Sequence, residues 1–133
     1  EVHAAILLVK LKYLDKWIEQ RRNIAKIYDD ELIYDLGLPK ERYNNKHGYY
    51  IYVVSHSDRE RIMSELVKSD IHLNISYPWP VHTMVGYEYL GWKDGDLPVT
   101  EKNAGEIFSL PMYPTLTNDE QIIVIDKIKE IVR

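Results

Sequence analysis

The chain has 133 residues, 45% of them apolar and 29% charged, enough for a single packed domain. A formal net charge of −4 argues against a general nucleic-acid binder, which needs a basic face. Cysteine is absent, which removes disulfides and thiolate chemistry and is compatible with the cytoplasm, where we expect the protein to reside.

Residues 2–34 read as one long helix. Val2, Ile6, Val9, Tyr13 and Trp17, then Ile24, Tyr28 and Leu32, recur at steps of three and four, and no Pro or Gly intervenes before Gly37. At 1.5 Å per residue such a helix spans about 45 Å, long for a domain of this size. Its start, Ala4-Ala5-Ile6-Leu7-Leu8-Val9, is apolar nearly all round and calls for cover on several sides. Self-association through this helix is therefore expected. No run approaches the roughly 20 apolar residues of a membrane span, and no signal peptide is expected.

Gly37–His47 is a polar turn, and the β-rich run Tyr49–Ser55 predicts a first strand. Ser57-Asp58-Arg59-Glu60 fits a capping box opening a helix to about Ser69, and Ile71–Tyr77 predicts a second strand. Met84–Leu90 suggests a short helix stopped by Gly91. Pro98 suits the first turn of a helix through Ile107. Phe108–Met112 predicts a third, edge strand, and Thr117-Asn118-Asp119-Glu120 a second capping box opening the last helix. The expected class is α+β: a long N-terminal helix, then a small three-stranded, mainly antiparallel sheet with helices packed on one face. The division is a helix over 1–36 and a small domain over 37–133.

Chemistry-bearing patterns are few. The five histidines are scattered without metal-ligand spacing, and the six glycines form no phosphate cradle. The exception is Ser76-Tyr77-Pro78-Trp79-Pro80-Val81-His82. Each proline fixes its own φ, lacks a donor and keeps the preceding residue extended, so this loop is stiff. Its three X-Pro relatives, Tyr77-Pro78, Trp79-Pro80 and Tyr113-Pro114, are also candidate cis bonds. On the residues alone, His82 reads either as a presented ligand contact or as a histidine bonded to a loop carbonyl. Tyr77 reads also as core packing, and Trp79 as a lid.

Several segments in register resemble the DegT/StrS family of pyridoxal-phosphate-dependent nucleotide-sugar aminotransferases. The run from Ala4 through Leu14 and Arg21-Arg22-Asn23-Ile24-Ala25 resembles the helix leading into that family's small domain. Tyr49-Tyr50-Ile51-Tyr52-Val53-Val54 resembles its Tyr-His-x-Tyr-Val strand, and Tyr77-Pro78-Trp79-Pro80-Val81-His82 its Tyr-Pro-x-Pro-x-His loop. Leu90-Gly91-Trp92, Gly95–Glu101 and Ser109–Pro114 complete the series. Tyr50 and Ser76 stand where many members have His, and Asp70 where Gly is usual.

The resemblance implies the C-terminal, small domain of a fold-type I aminotransferase. It implies that His82, Tyr77 and Trp79 lie on the side of a nucleotide-sugar substrate. The Schiff-base lysine and the partner of the pyridine nitrogen belong to a large domain outside these residues, so no cofactor-binding, catalytic or metal-ligating residue is expected in this chain. Pyridoxal phosphate is implied for the full-length enzyme only, and the chain alone is expected to be inactive. The other reading from the sequence is a stand-alone module that binds a nucleotide sugar or a protein, without catalysis.

Overall fold

A computed structural model describes residues 1–133. The α-helices are α1 (Val2–Leu11), α2 (Leu14–Leu32), α3 (Arg59–Lys68), α4 (Pro98–Glu106) and α5 (Asn118–Val132). The strands are β1 (Tyr52–Ser55) and β2 (Ile107–Leu110), and two 3₁₀ turns, Val81–Thr83 and Val85–Leu90, lie between α3 and α4.

The single long N-terminal helix is corrected to two. Lys12 and Tyr13 donate to the carbonyls of Val9 and Lys10, three residues back, which tightens the helix into a 3₁₀ turn before α2 begins. The Tyr13 ring stacks on Trp17, one turn on, at 5.8 Å between centroids. No Pro or Gly marks this junction, which is why periodicity ran through it.

β1 and β2 pair antiparallel, with Tyr52 opposite Leu110 and Val54 opposite Phe108. These four side chains share one face and are buried, while Val53, Ser55, Ile107 and Ser109 on the other face are half-buried. The buried face meets Ile24, Ala25, Tyr28 and Leu32 of α2, Ile62 and Leu66 of α3, and Val124, Ile125 and Ile128 of α5 in one core. α2 is thus a wall of the same core as the sheet.

The sheet has two strands, not the expected three. The segment expected as the second strand touches β2 at one bridge, where the Ser109 amide donates to the Asn74 carbonyl at 2.8 Å. Pro78 and Pro80 follow within six residues and have no donor with which to extend the ladder. The expected strand Phe108–Met112 is shifted to Ile107–Leu110.

The second capping box forms as expected. Thr117 Oγ1 accepts from the Glu120 amide at 3.3 Å, and the Glu120 carboxylate accepts from the Thr117 amide at 2.8 Å. The first does not form: α3 starts one residue late, from Asp58 and without a side-chain cap, which puts Glu60 at the second helical position, where its carboxylate pairs with Arg59 at 2.7 Å. Val85–Leu90, within the expected Met84–Leu90, coils as 3₁₀ rather than α and stops at Gly91, whose φ of +79° lies in the left-handed region that favours a residue without Cβ. Gly37 exchanges both backbone hydrogen bonds with Ser55 so closely that a Cβ would sit 2.3 Å from Ser55 Oγ. All X-Pro bonds are trans, the three cis candidates included.

Candidate functional site

The stiff loop leaves the edge of the sheet just after Asn74 and ends in the 3₁₀ turn Val81–Thr83. Thr83 closes that turn, its amide and hydroxyl both donating to the Pro80 carbonyl at 3.1 and 3.0 Å. With φ fixed at Pro78 and Pro80, the backbone that carries Trp79 between them and Tyr77 just before them has little freedom to fold back. Tyr77 is 72% and Trp79 67% exposed. Of the alternatives open at the sequence level, neither core packing for Tyr77 nor a closed lid for Trp79 is what the fold builds.

His82 faces inward and is 8% exposed. Its Nε2 lies 2.9 Å from Glu101 Oε1, in the first turn of α4. The same carboxylate accepts from the Gly95 amide at 2.9 Å and the Leu97 amide at 3.1 Å. Glu101 therefore caps its own helix, holds the turn before it and bonds the histidine. These contacts, His82 first and the backbone amides next, lower its pKa below the usual carboxylate value. At the other end of α4, Arg59 donates to the carbonyls of Ala104 at 2.6 Å and Ile107 at 3.4 Å. The helix that supports His82 is thus clamped at both ends.

A separate cleft of about 660 Å³ opens beside the sheet edge. Its apolar floor comes from Leu110, Met112, Leu116, Ile123 and Val124, and its polar rim from Asp70, His72, Asn74 and Ser76 with Tyr50 and Tyr113. Tyr77, Trp79 and His82 do not line it. The structure thus keeps these three on one loop without gathering them in that cavity. The sequence pattern gives Glu101 no role beyond its place in Gly95–Glu101; its position three residues after Pro98, where a carboxylate can reach back to the helix-start amides, is the signal available for it.

No lysine or arginine lines the cleft, so it offers neither an amine for the aldehyde of pyridoxal phosphate nor a cation for its phosphate. The residues present there do not fit that cofactor. No cluster of three or more His, Cys, Asp or Glu is arranged to hold a metal ion. No helix is long and apolar enough to cross a membrane.

Residues 1–129 match the DegT/DnrJ/EryC1/StrS aminotransferase family. The chain is 49% identical over 99% of its length to a dTDP-3-amino-3,4,6-trideoxy-alpha-D-glucose transaminase of Micromonospora megalomicea subsp. nigra, of which it covers 37%. It is 39% identical over its whole length to a pleiotropic regulatory protein of Geobacillus stearothermophilus, again covering 37%. The crystal structure of a DegT DnrJ EryC1 StrS aminotransferase from Brucella abortus superposes with a TM-score of 0.91 at 30% identity, over 97% of this chain and 35% of that one. The chain therefore belongs to the DegT/DnrJ/EryC1/StrS aminotransferase family and spans a little over a third of the length of these relatives.

Proposed function

We propose that these residues form the C-terminal, small domain of a sugar aminotransferase and supply its substrate-side contacts. The parent enzyme would transfer an amino group, with glutamate as donor, to a keto-sugar nucleotide. Pyridoxal phosphate would be held by residues outside this chain. The observation that carries the reading is the pairing of a presented loop with a missing cofactor chemistry. Trp79 and Tyr77 stand in solvent on a proline-stiffened segment, suited to stack on a sugar face. His82 adds a ring nitrogen suited to a sugar hydroxyl. The cleft beside the sheet edge offers no cation or amine.

Helix α1 fits the same picture. It buries no residue, and Val2, Leu7, Leu8, Val9 and Leu11 are each more than half exposed. In the isolated chain this face pairs with a second copy, which sedimentation velocity at high micromolar concentration detects; a clean monomer contradicts it. The functional test is titration of the chain with dTDP-glucose, read by calorimetry. Saturable binding that His82→Ala abolishes, with no transamination by the chain alone, supports the reading. Turnover by the chain alone refutes it.

A second reading is a regulatory or binding module without catalysis, favoured by the name of the Geobacillus stearothermophilus relative. In that case a partner protein, not a nucleotide sugar, would protect the Tyr77–His82 loop from hydrogen exchange.

A further inference from the structure

His82 carries an asymmetry that the substrate-side role leaves unexplained. One ring nitrogen is committed and the other is free. Nε2 meets the Glu101 carboxylate at 2.9 Å. An ionised carboxylate only accepts, so a neutral imidazole facing it must carry its proton on Nε2. The carboxylate cannot turn away to spare the other tautomer, because the amides of Gly95 and Leu97 hold both of its oxygens. Nδ1 makes no hydrogen bond within the chain. It is not sealed in either, since the single fully buried side-chain polar atom without a partner is Gln121 Oε1. A lone pair thus remains without a partner in the chain, on a ring that is largely but not wholly buried. Two exposed aromatic side chains, Trp79 and Tyr77, stand three and five positions earlier on the same stiff loop.

We infer that Glu101 is a positioning residue that locks His82 in the Nε2–H tautomer, so that the chain presents Nδ1 as an acceptor for a hydroxyl of its ligand. This rests on the substrate-side reading for the identity of the ligand, a nucleotide sugar, but not for the tautomer. The consequence is chemical: at this position a hydroxyl donor is accepted, and a carbonyl or phosphate oxygen is met by a lone pair as long as the ring is neutral.

Long-range ¹H–¹⁵N correlation spectra of the labelled chain at alkaline pH read the tautomer directly, with His82→Ala identifying the ring signals. The expected result is a protonated Nε2 and a bare Nδ1. Glu101→Ala removes the oxygen that Nε2 faces, the same Oε1 that accepts from the Gly95 and Leu97 amides. The ring should then lose its single tautomer and populate Nδ1–H as well. A wild-type ring that is mixed or protonated on Nδ1 overturns the inference, and this measurement needs no variant to fold. An unchanged, single Nε2–H tautomer in a folded Glu101→Ala protein overturns it equally. Titration with dTDP-glucose separates the two layers. A shift confined to Nδ1, weakened in Glu101→Ala, supports the acceptor role. No shift at Nδ1 overturns the nucleotide-sugar ligand and the substrate-side reading beneath it, while the tautomer assignment stands or falls on the spectra alone.

Discussion

The side-chain amide of Gln121 donates to the main-chain carbonyl of Ile24 at 2.8 Å, joining α5 to α2 inside the core. Gln121 is almost wholly buried, and its Oε1 has no partner. The amide is oriented by the Ile24 carbonyl, so the orphan acceptor is the cost of this tie. Gln121→Met should lie within about 1 kcal/mol of wild type, since one hydrogen bond and one unsatisfied acceptor leave together. Gln121→Glu should cost on the order of 3 kcal/mol, because a carboxylate would then face a carbonyl in the core. Urea unfolding of the two variants checks the order; a Glu variant as stable as the Met variant contradicts it.

Asp70 closes α3 with a φ of +60°. The Asp70 amide donates to the Val67 carbonyl and the Ile71 amide to the Leu66 carbonyl, both at 3.0 Å, the paired bonds of a Schellman ending. A left-handed residue with a Cβ is strained there, and its pairing with His72 at 3.2 Å is exposed and contributes little. Asp70→Gly should therefore raise stability by about 1 kcal/mol, a gain of several degrees in Tm for a domain of this size. A fall in Tm would contradict the strain argument.

Both expectations show what the sequence reveals. The residue at Asp70 was visible as a departure from the usual Gly, and the structure supplies its physical meaning. The strands β1 and β2, α3 and the Thr117–Glu120 cap were legible because β-rich runs, apolar helical spacing and the second capping pattern are local signals. The turn at Lys12–Tyr13 was not, because a 3₁₀ step leaves the apolar spacing almost untouched. The second strand was overread: Ile71, Leu73 and Ile75 alternate properly, yet alternation reports a half-buried face and not a ladder partner. In the site, the stiffness of the Tyr77–His82 loop was legible from two prolines. The burial of His82 was not, because its partner Glu101 lies 19 residues away and only the fold brings them together.

Glu41 anchors the loop before β1. Its carboxylate takes the Arg22 guanidinium at 2.8 and 3.0 Å and the His47 amide at 2.6 Å. The Arg22 hydrogen bond, then the His47 amide, pull its pKa down from 4.5 to about 2. A depressed carboxylate stabilises the fold fully above its unfolded value and loses that contribution as pH falls through the folded one. The Tm advantage of wild type over Glu41→Gln should therefore be constant above about pH 5, shrink below 4.5 and vanish near 2. Because the group is solvent-accessible, added salt should shrink the advantage as well. A difference that persists unchanged at pH 2 would contradict the pairing.

Retention of pyridoxal phosphate separates a substrate-side domain from a self-sufficient enzyme most directly. The chain is mixed with the cofactor, passed through gel filtration and scanned in the near-visible region. A wall that contributes substrate contacts, with no amine or cation in the cleft beside its sheet edge, predicts that no stoichiometric protein-bound absorbance survives the column. One equivalent of bound cofactor per chain, abolished by substitution of a single lysine, would contradict it.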